Sequence, residues 1–236
     1  AIALKPDYVA ARHNLLFSLN YDHRLSASDL YNEYQSFSAW AQTQISKQFD
    51  HYNRSIGNKL RIRIGYSSPD FRGHACRFFM EPLFRNHDHK QFELFAYSNT
   101  GKEDGHTERL KQYFDHWIDV VRLSDEEMAE RIYEDQIDIL VDMAGHTNGN
   151  RLPVFAMRPA PVQVSSNIGY GYTSGLAEID YFLGNENLTP PGSEDFFSEQ
   201  IYRLPVPGYA YEPPRAETPD VCELPALRRG YVTFGS

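Results

Sequence analysis

The sequence predicts an α/β fold, a parallel sheet with helices between its strands, and three observations carry this. Leu60-Arg-Ile-Arg-Ile-Gly-Tyr66 and Phe92-Glu-Leu-Phe-Ala-Tyr97 begin with the two-residue alternation of a strand. Residues 137–141 form a nearly continuous apolar run, the pattern of a strand buried on both faces. Helical stretches lie between these segments, one of them opened by Ser124-Asp-Glu-Glu127, a capping box ahead of Met128 and Ile132. Strands that alternate with helices are joined by crossovers, and crossovers give parallel pairing. Two more short strands are expected around residues 162–165 and 179–183.

In chain order, residues 1–23 come first. Ala1 stands five residues before Pro6 and Leu15 nine after it, which matches the join between two tetratricopeptide repeats; an ordinary helix-Pro-helix junction is the plainer reading of the same residues. One join is not an array, because stacked repeats need several copies to bury their faces. Ser26 or Ser28 caps the next helix, whose apolar positions Leu30, Tyr34, Phe37, Ala41 and Ile45 follow at spacings of four, three, four and four. Residues 24–56 are therefore expected to be connecting helices that seat the repeat on the sheet. Asn53-Arg-Ser-Ile-Gly57 marks the change of pattern, and residues 57–204 are assigned to the sheet domain. Six prolines (205, 207, 213, 214, 219 and 225) make residues 205–228 an extended connector. Residues 229–236, with Gly230-Tyr-Val-Thr-Phe-Gly235, read as an apolar strand that opens a second, truncated domain.

At 236 residues, 41% hydrophobic and 14% aromatic, the chain has ample material for a packed core, which excludes disorder as the whole answer. There are 23 Lys and Arg against 32 Asp and Glu, a net charge of −9, and no dense basic run, so nucleic acid is excluded as a partner. Cys76 and Cys222 are far apart and lack the spacing of zinc ligands, which argues against a structural zinc site and a disulfide scaffold and favours a reducing cytoplasm. No run of eighteen apolar residues and no leader is present, so no membrane association is expected.

Three constellations carry chemistry. The first is Gly65-Tyr-Ser-Ser-Pro-Asp-Phe-Arg-Gly-His74, a strand and polar turn leading into a helix near Ala75. A helix N-terminus there disfavours the charged form of His74 and leaves a neutral imidazole able to accept a proton, the requirement for a general base; the plainer alternative is a histidine that bonds a nearby carbonyl. Asp70 reads as the organiser of that turn. The second is Gly145-His146-Thr147-Asn148, which either holds a sugar or hydroxyl at a strand's end or caps the helix near Arg151. The third is Gly169-Tyr170-Gly171-Tyr172-Thr173-Ser174-Gly175, where glycines permit close backbone approach to a ligand or simply make a turn. Arg158 in Arg158-Pro-Ala-Pro161 anchors a turn or reaches a phosphate, and His87-Asp88-His89 reads as solvated surface rather than a metal site.

The stretches Asp138 to Asn150, Phe155 to Gln163 and Ile168 to Gly175, with Ser68-x-Asp70-Phe71-x-x-His74, resemble the amino-terminal catalytic half of the protein O-GlcNAc transferases and SPINDLY-type protein O-fucosyltransferases. The resemblance covers nearly the whole chain and is strongest over residues 137–175. It implies a Rossmann-like sheet forming one half of a GT-B architecture, preceded by a tetratricopeptide remnant. It further implies inverting, metal-independent transfer of a sugar from a nucleotide sugar, UDP-GlcNAc or GDP-fucose, to Ser or Thr of a protein or peptide acceptor, with no cofactor. His74 would be catalytic, and Asp70, His146, Thr147, Asn148, Gly169, Tyr170, Thr173 and Ser174 would bind substrate. The span alone is expected to be inactive, and a noncatalytic interaction module is the alternative. The chain departs from the family's motif in having Ser165-Ser166-Asn167 where a tryptophan is common and Gly171 where a proline follows the first tyrosine.

Overall fold

The computed structural model describes residues 1–51, 60–205, 210–213 and 222–234; residues 52–59, which include the end of the expected connecting helices, half of the proline-rich connector and the last two residues lie outside the described residues. The helices are α1 (Val9–Leu19), α2 (Ala27–Gln42), α3 (Arg77–Arg85), α4 (Gly105–Lys111), α5 (Asp125–Glu134), α6 (Leu152–Ala156) and α7 (Pro225–Arg229). The strands are β1 (Ile62–Ser68), β2 (Phe92–Ser98), β3 (His116–Asp119), β4 (Ile139–Asp142), β5 (Val162–Ser166), β6 (Tyr181–Gly184) and β7 (Gln200–Arg203). They form one sheet in the order β3-β2-β1-β4-β5-β6-β7, parallel at every pairing. This is the parallel α/β sheet that the strand and helix alternation predicts, and the Rossmann-like architecture that the family resemblance implies.

The central strands are covered on both faces, and their side chains divide accordingly. Along β2, Leu94 and Ala96 join a core with Met80 and Phe84 of α3 and Leu110 of α4, whereas Phe95 and Tyr97 join a core with Met128 and Ile132 of α5 and Phe155 of α6. Leu140 and Val141 of β4 split the same way, which explains why β4 reads as a continuous apolar run rather than an alternation. Gly65 faces Tyr97; a Cβ there would stand 2.9 Å from the Tyr97 ring, so glycine leaves room for that ring under β1. The Tyr97 hydroxyl in turn donates to Asp135 at 2.8 Å.

The N-terminal helices are part of this body. Ser26 caps α2 through a capping box with Asp29, and Leu16, Tyr34, Phe37 and Ala41 enter the same core as Phe95, Ile132 and Phe155. Leu30 packs at its margin, so the four expected positions on α2 make the contact face, and Ile45, which falls beyond the end of the helix at Gln42, packs against the same core. Among the described residues, no helix is long and apolar enough to cross a membrane.

Three expectations need correction. Strands β3 (HWID) and β7 (QIYR) do not stand out in sequence because both are four-residue, half-exposed elements without an apolar face. The C-terminal part of the expected connector is helical, with Pro225 in the first turn of α7, where its missing N–H costs nothing. Residues 231–234 form no strand: Gly230 ends α7 at φ 72°, and Tyr231, Val232 and Phe234 are 61, 67 and 93% exposed, with no neighbouring strand among the described residues to pair with.

Because α2 shares its core with α5 and α6, Phe37→Ala should destabilise the body as a unit, by about 3–5 kcal/mol for a buried phenylalanine. Urea unfolding followed by amide exchange would check it. Loss of protection confined to α1 and α2, with α5 and α6 unchanged, would mean that the N-terminal helices fold as a separate unit.

Candidate functional site

The order of the sheet reverses between β1 and β4, since β2 and β3 lie on one side of β1 and β5 to β7 on the other side of β4. In an open parallel sheet, the loops leaving the carboxyl ends at that reversal splay apart and leave a crevice. All three sequence-derived constellations leave the sheet there: residues 69–76 after β1, 143–151 after β4 and 167–176 after β5. They touch one another. A Cβ on Gly149 would stand 2.9 Å from Pro69, the Cys76 Sγ lies 4.0 Å from the Ile168 carbonyl, and Gly169 passes so close over Met143 that a Cβ would sit 2.1 Å from its carbonyl oxygen.

His74 lies in the first loop, just before α3, with its side chain 40% exposed. Its Nδ1 is 3.6 Å from Asp70 Oδ2, and the Cys76 N–H donates to it at 3.4 Å. Asp70 is buried; Arg72 donates to its Oδ1 at 3.3 Å, and its own N–H donates to Ser68 Oγ. Its carboxylate thus stands beside the imidazole, while the turn itself is held by Ser68 Oγ and by the Arg72 N–H donating to the Asp70 carbonyl at 2.7 Å. Burial, then the Asp70 charge, push the Cys76 thiol up to about 11.

The other two loops are built around buried polar groups. His146 is 1% exposed, and its Nε2 lies 2.8 Å from the Ser174 carbonyl, which can only accept; Nε2 therefore carries the proton. The bare Nδ1 of His146 then accepts from Nδ1 of His13 in α1 at 2.8 Å, which leaves His13 Nε2 bare and without a protein partner. Thr173 and Ser174, both fully buried, donate from their hydroxyls to Glu199 at 2.6 and 2.5 Å, and the Ser174 N–H adds a third bond at 2.8 Å. Asp142, at the end of β4, accepts from the N–H groups of Ala144 and Gly145, which fixes the start of the second loop; Gly145 has φ 53°, and a Cβ would collide with the Tyr170 side chain at 2.3 Å. The Tyr170 hydroxyl meets the Tyr34 hydroxyl in a very short contact, and Asn20 donates to both oxygens at 2.7 Å.

Two clefts result. One, of about 250 Å³, is lined by His13, Asn14, His146, Thr147, Asn148 and Arg151. The other, of about 340 Å³, is lined by Phe17, Asn20, Tyr21, Gly169, Tyr170 and Gly171. Of the predicted residues, His146, Thr147, Asn148, Gly169 and Tyr170 therefore reach a cleft, while Thr173 and Ser174 point to Glu199. Neither Thr147 nor Asn148 caps α6: the Leu152 N–H donates to the Asn150 side chain instead. Arg158 anchors its turn at φ 53°, donating to the Glu178 and Pro161 carbonyls and to Asp180. A further cavity, of about 560 Å³, lies elsewhere, between α3 and α4 around Arg77, Arg85 and Arg109. His13, Asn20, Tyr34, Asp142 and Glu199 belong to the site without having been picked out from the sequence; only Asp142, a charge closing a buried apolar strand, carries a local signal.

Burial sets the charge state of this cluster. It lowers His13 to about 4 and, with His13 as a second cause, His146 to about 3. It pushes Asp142 up to about 6, against the two loop N–H groups that favour the carboxylate, and raises Glu199 despite its hydroxyl donors. The histidines, ordinarily near 6.5, are protonated in the unfolded chain before the folded one as pH falls. Their stabilisation is complete above pH 6.5 and is lost on acidification by about 1.4 kcal/mol per unit for each. Asp142, ordinarily 3.8, acts in the opposite sense between pH 6 and 3.8, where the folded chain holds the extra proton and acidification adds stability. Asp142→Asn removes this compensation, so the slope of unfolding free energy with pH between 6 and 4 should steepen by about 1.4 kcal/mol per unit. Urea titrations across that range would measure it, and an unchanged slope would show that Asp142 titrates normally in the fold.

The chain matches the description "Glycosyl transferase family 41" over residues 5–208. It is 34% identical over 237 residues to the probable UDP-N-acetylglucosamine–peptide N-acetylglucosaminyltransferase SPINDLY of Arabidopsis thaliana, covering 99% of this chain and 26% of that protein. It is 30% identical over 200 residues to the UDP-N-acetylglucosamine–peptide N-acetylglucosaminyltransferase of Caenorhabditis elegans, covering 84% of this chain and 17% of that one. Among solved structures, a mutant of the Thermobaculum terrenum O-GlcNAc transferase superposes with a TM-score of 0.81 at 33% identity, over 91% of this chain and 41% of that one. The chain thus spans about a quarter of the length of its SPINDLY relatives. With the match covering most of its length, the chain belongs to glycosyl transferase family 41.

Proposed function

We propose that this chain is the amino-terminal nucleotide-fold half of a protein O-glycosyltransferase of GT-B architecture, which inverts the configuration of the sugar it transfers from a nucleotide sugar to Ser or Thr of a protein acceptor. The donor is UDP-GlcNAc or GDP-fucose, and no metal or other cofactor takes part. Helices α1 and α2 are the end of a tetratricopeptide array and its connector, and the enzyme works in the cytoplasm, a reading supported by the two free cysteines.

The observation that carries the reading is the place of His74: a half-exposed imidazole, beside a buried carboxylate, in the loop that opens at the reversal of strand order. Beside the Asp70 carboxylate, the imidazole accepts the proton of an incoming hydroxyl as the oxygen attacks the anomeric carbon. Asp70 orients the ring and balances the positive charge that forms on it. The cleft at His146, Thr147 and Asn148 and the cleft at Gly169 and Tyr170 position acceptor and donor; Thr173 and Ser174 act by holding the third loop to Glu199. A crevice with one wall neither excludes water nor fixes the donor, so activity belongs to the longer enzyme.

In the full-length enzyme, His74→Ala should lower kcat by about a hundredfold or more without changing the melting temperature, the usual scale for a lost proton-transfer group. Steady-state transfer of labelled sugar to a protein acceptor is the measurement. Wild-type turnover in a folded variant would make His74 structural, and absence of any transfer by the wild-type enzyme would favour a noncatalytic interaction module.

A further inference from the structure

The loop that carries His74 also brings together three side chains of a different chemical character. Asp70, His74 and Cys76 each offer one donor atom, and the three atoms lie within 4.8 Å of one another. A carboxylate oxygen, an imidazole nitrogen and a sulfur form the mixed ligand set taken by zinc and its close relatives, not by magnesium or calcium, which require oxygen. Bonds of about 2.0–2.3 Å to such an ion place tetrahedral donors about 3.3–3.8 Å apart. The Asp70 Oδ2 and His74 Nδ1 atoms already stand 3.6 Å apart, and the Cys76 sulfur lies within 4.8 Å of the donor atom of each.

We propose that Asp70, His74 and Cys76 form a three-ligand site for a zinc-class divalent cation, and that its occupation switches the enzyme off. The surroundings suit this role. Arg72 engages Asp70 through Oδ1, which leaves Oδ2 for the ion. The His74 side chain is 40% exposed and Cys76 is partly exposed, so an ion reaches the site from solvent. The positive end of α3 opposes a bare cation, but a thiolate and a carboxylate bring two negative charges and cancel those of the ion. Binding releases the thiol proton to solvent as the metal–sulfur bond forms, with no change of oxidation state. The fourth tetrahedral position stays open to water, as in accessible rather than structural zinc sites. Such a site is unlike a structural zinc centre: it is assembled from seven consecutive residues of one loop, and the fold stands without it.

The inhibitory part rests on the reading of His74 as the proton acceptor. An imidazole bound to a dication through one nitrogen is a far weaker base at the other, so the group meant to deprotonate the acceptor hydroxyl is withdrawn. The site itself does not depend on that reading.

Cobalt(II) is the probe, used on the full-length protein in a Cys222→Ser background, with Cys76→Ala in the same background as the reference that subtracts cobalt bound at any other thiol. One equivalent should give a near-ultraviolet thiolate-to-cobalt band and tetrahedral visible absorption, displaced by zinc. Cys76→Ala should abolish the band, and Asp70→Asn or His74→Ala should weaken cobalt binding by about tenfold or more, the scale for damage to a ligand set. Absence of the band, or its persistence in Cys76→Ala, would overturn the site. Zinc should also inhibit sugar transfer, and Cys76→Ala should keep its turnover and lose the inhibition. Cobalt bound with the expected spectrum but no inhibition would retain the site and reject its control of His74.

Discussion

The arrangement of the crevice depends on one set of buried polar contacts, which tie the first two helices to the loops after β4 and β5. Asn20 and Tyr34 meet the Tyr170 hydroxyl, and His13 meets His146, which is bonded onward to Ser174 and so to Glu199. Each group is costly to bury alone and acceptable only with its partner in place, so the network admits few alternative loop geometries. The glycines reinforce this. Gly145 and Gly169 lie where any side chain would strike Tyr170 or the Met143 carbonyl, so the two loops interlock through their backbones. A helical segment that precedes the sheet in sequence therefore acts as part of the wall of the site.

This network also separates two kinds of polar residue at the crevice. His146 is buried and kept uncharged by desolvation, and the buried, hydrogen-bonded carboxyls of Asp142 and Glu199 are shifted upward by the same cause, which suits all three to define shape. His74 is accessible, flanked by a carboxylate and placed in the loop nearest the reversal of strand order, which suits it to exchange a proton with a bound hydroxyl. The same accessibility, with a thiol two residues on, leaves it open to capture by a metal ion.

Much of the architecture was legible in the sequence because burial on two faces leaves a readable pattern. β1, β2 and β4 to β6, the capping box of α5, a serine cap on α2, and the contact face of α2 follow from periodicity and caps alone. The edge strands β3 and β7 were not legible, since an edge strand needs only backbone pairing on one side and little apolar surface. The loops were legible as sites through their glycines and polar residues, but not the division of labour within them. Thr173 and Ser174 look like ligand contacts in sequence, yet their hydroxyls serve Glu199, a residue 25 positions beyond Ser174 that has no local signature. His13 and Asn20 were invisible for the same reason: the loop residues they hold, His146 and Tyr170, lie more than a hundred residues away.

The dependence of the loops on the helices is open to a direct measurement. Tyr34→Phe removes one hydroxyl from the Asn20, Tyr34 and Tyr170 cluster and leaves the aromatic packing of α2 in place. Loss of a buried hydrogen bond of about 1 kcal/mol should raise amide exchange over residues 168–176 about fivefold, with the β1 and β2 amides unaffected. If exchange in that loop were unchanged in a folded Tyr34→Phe protein, the helices would not be what holds the crevice in shape.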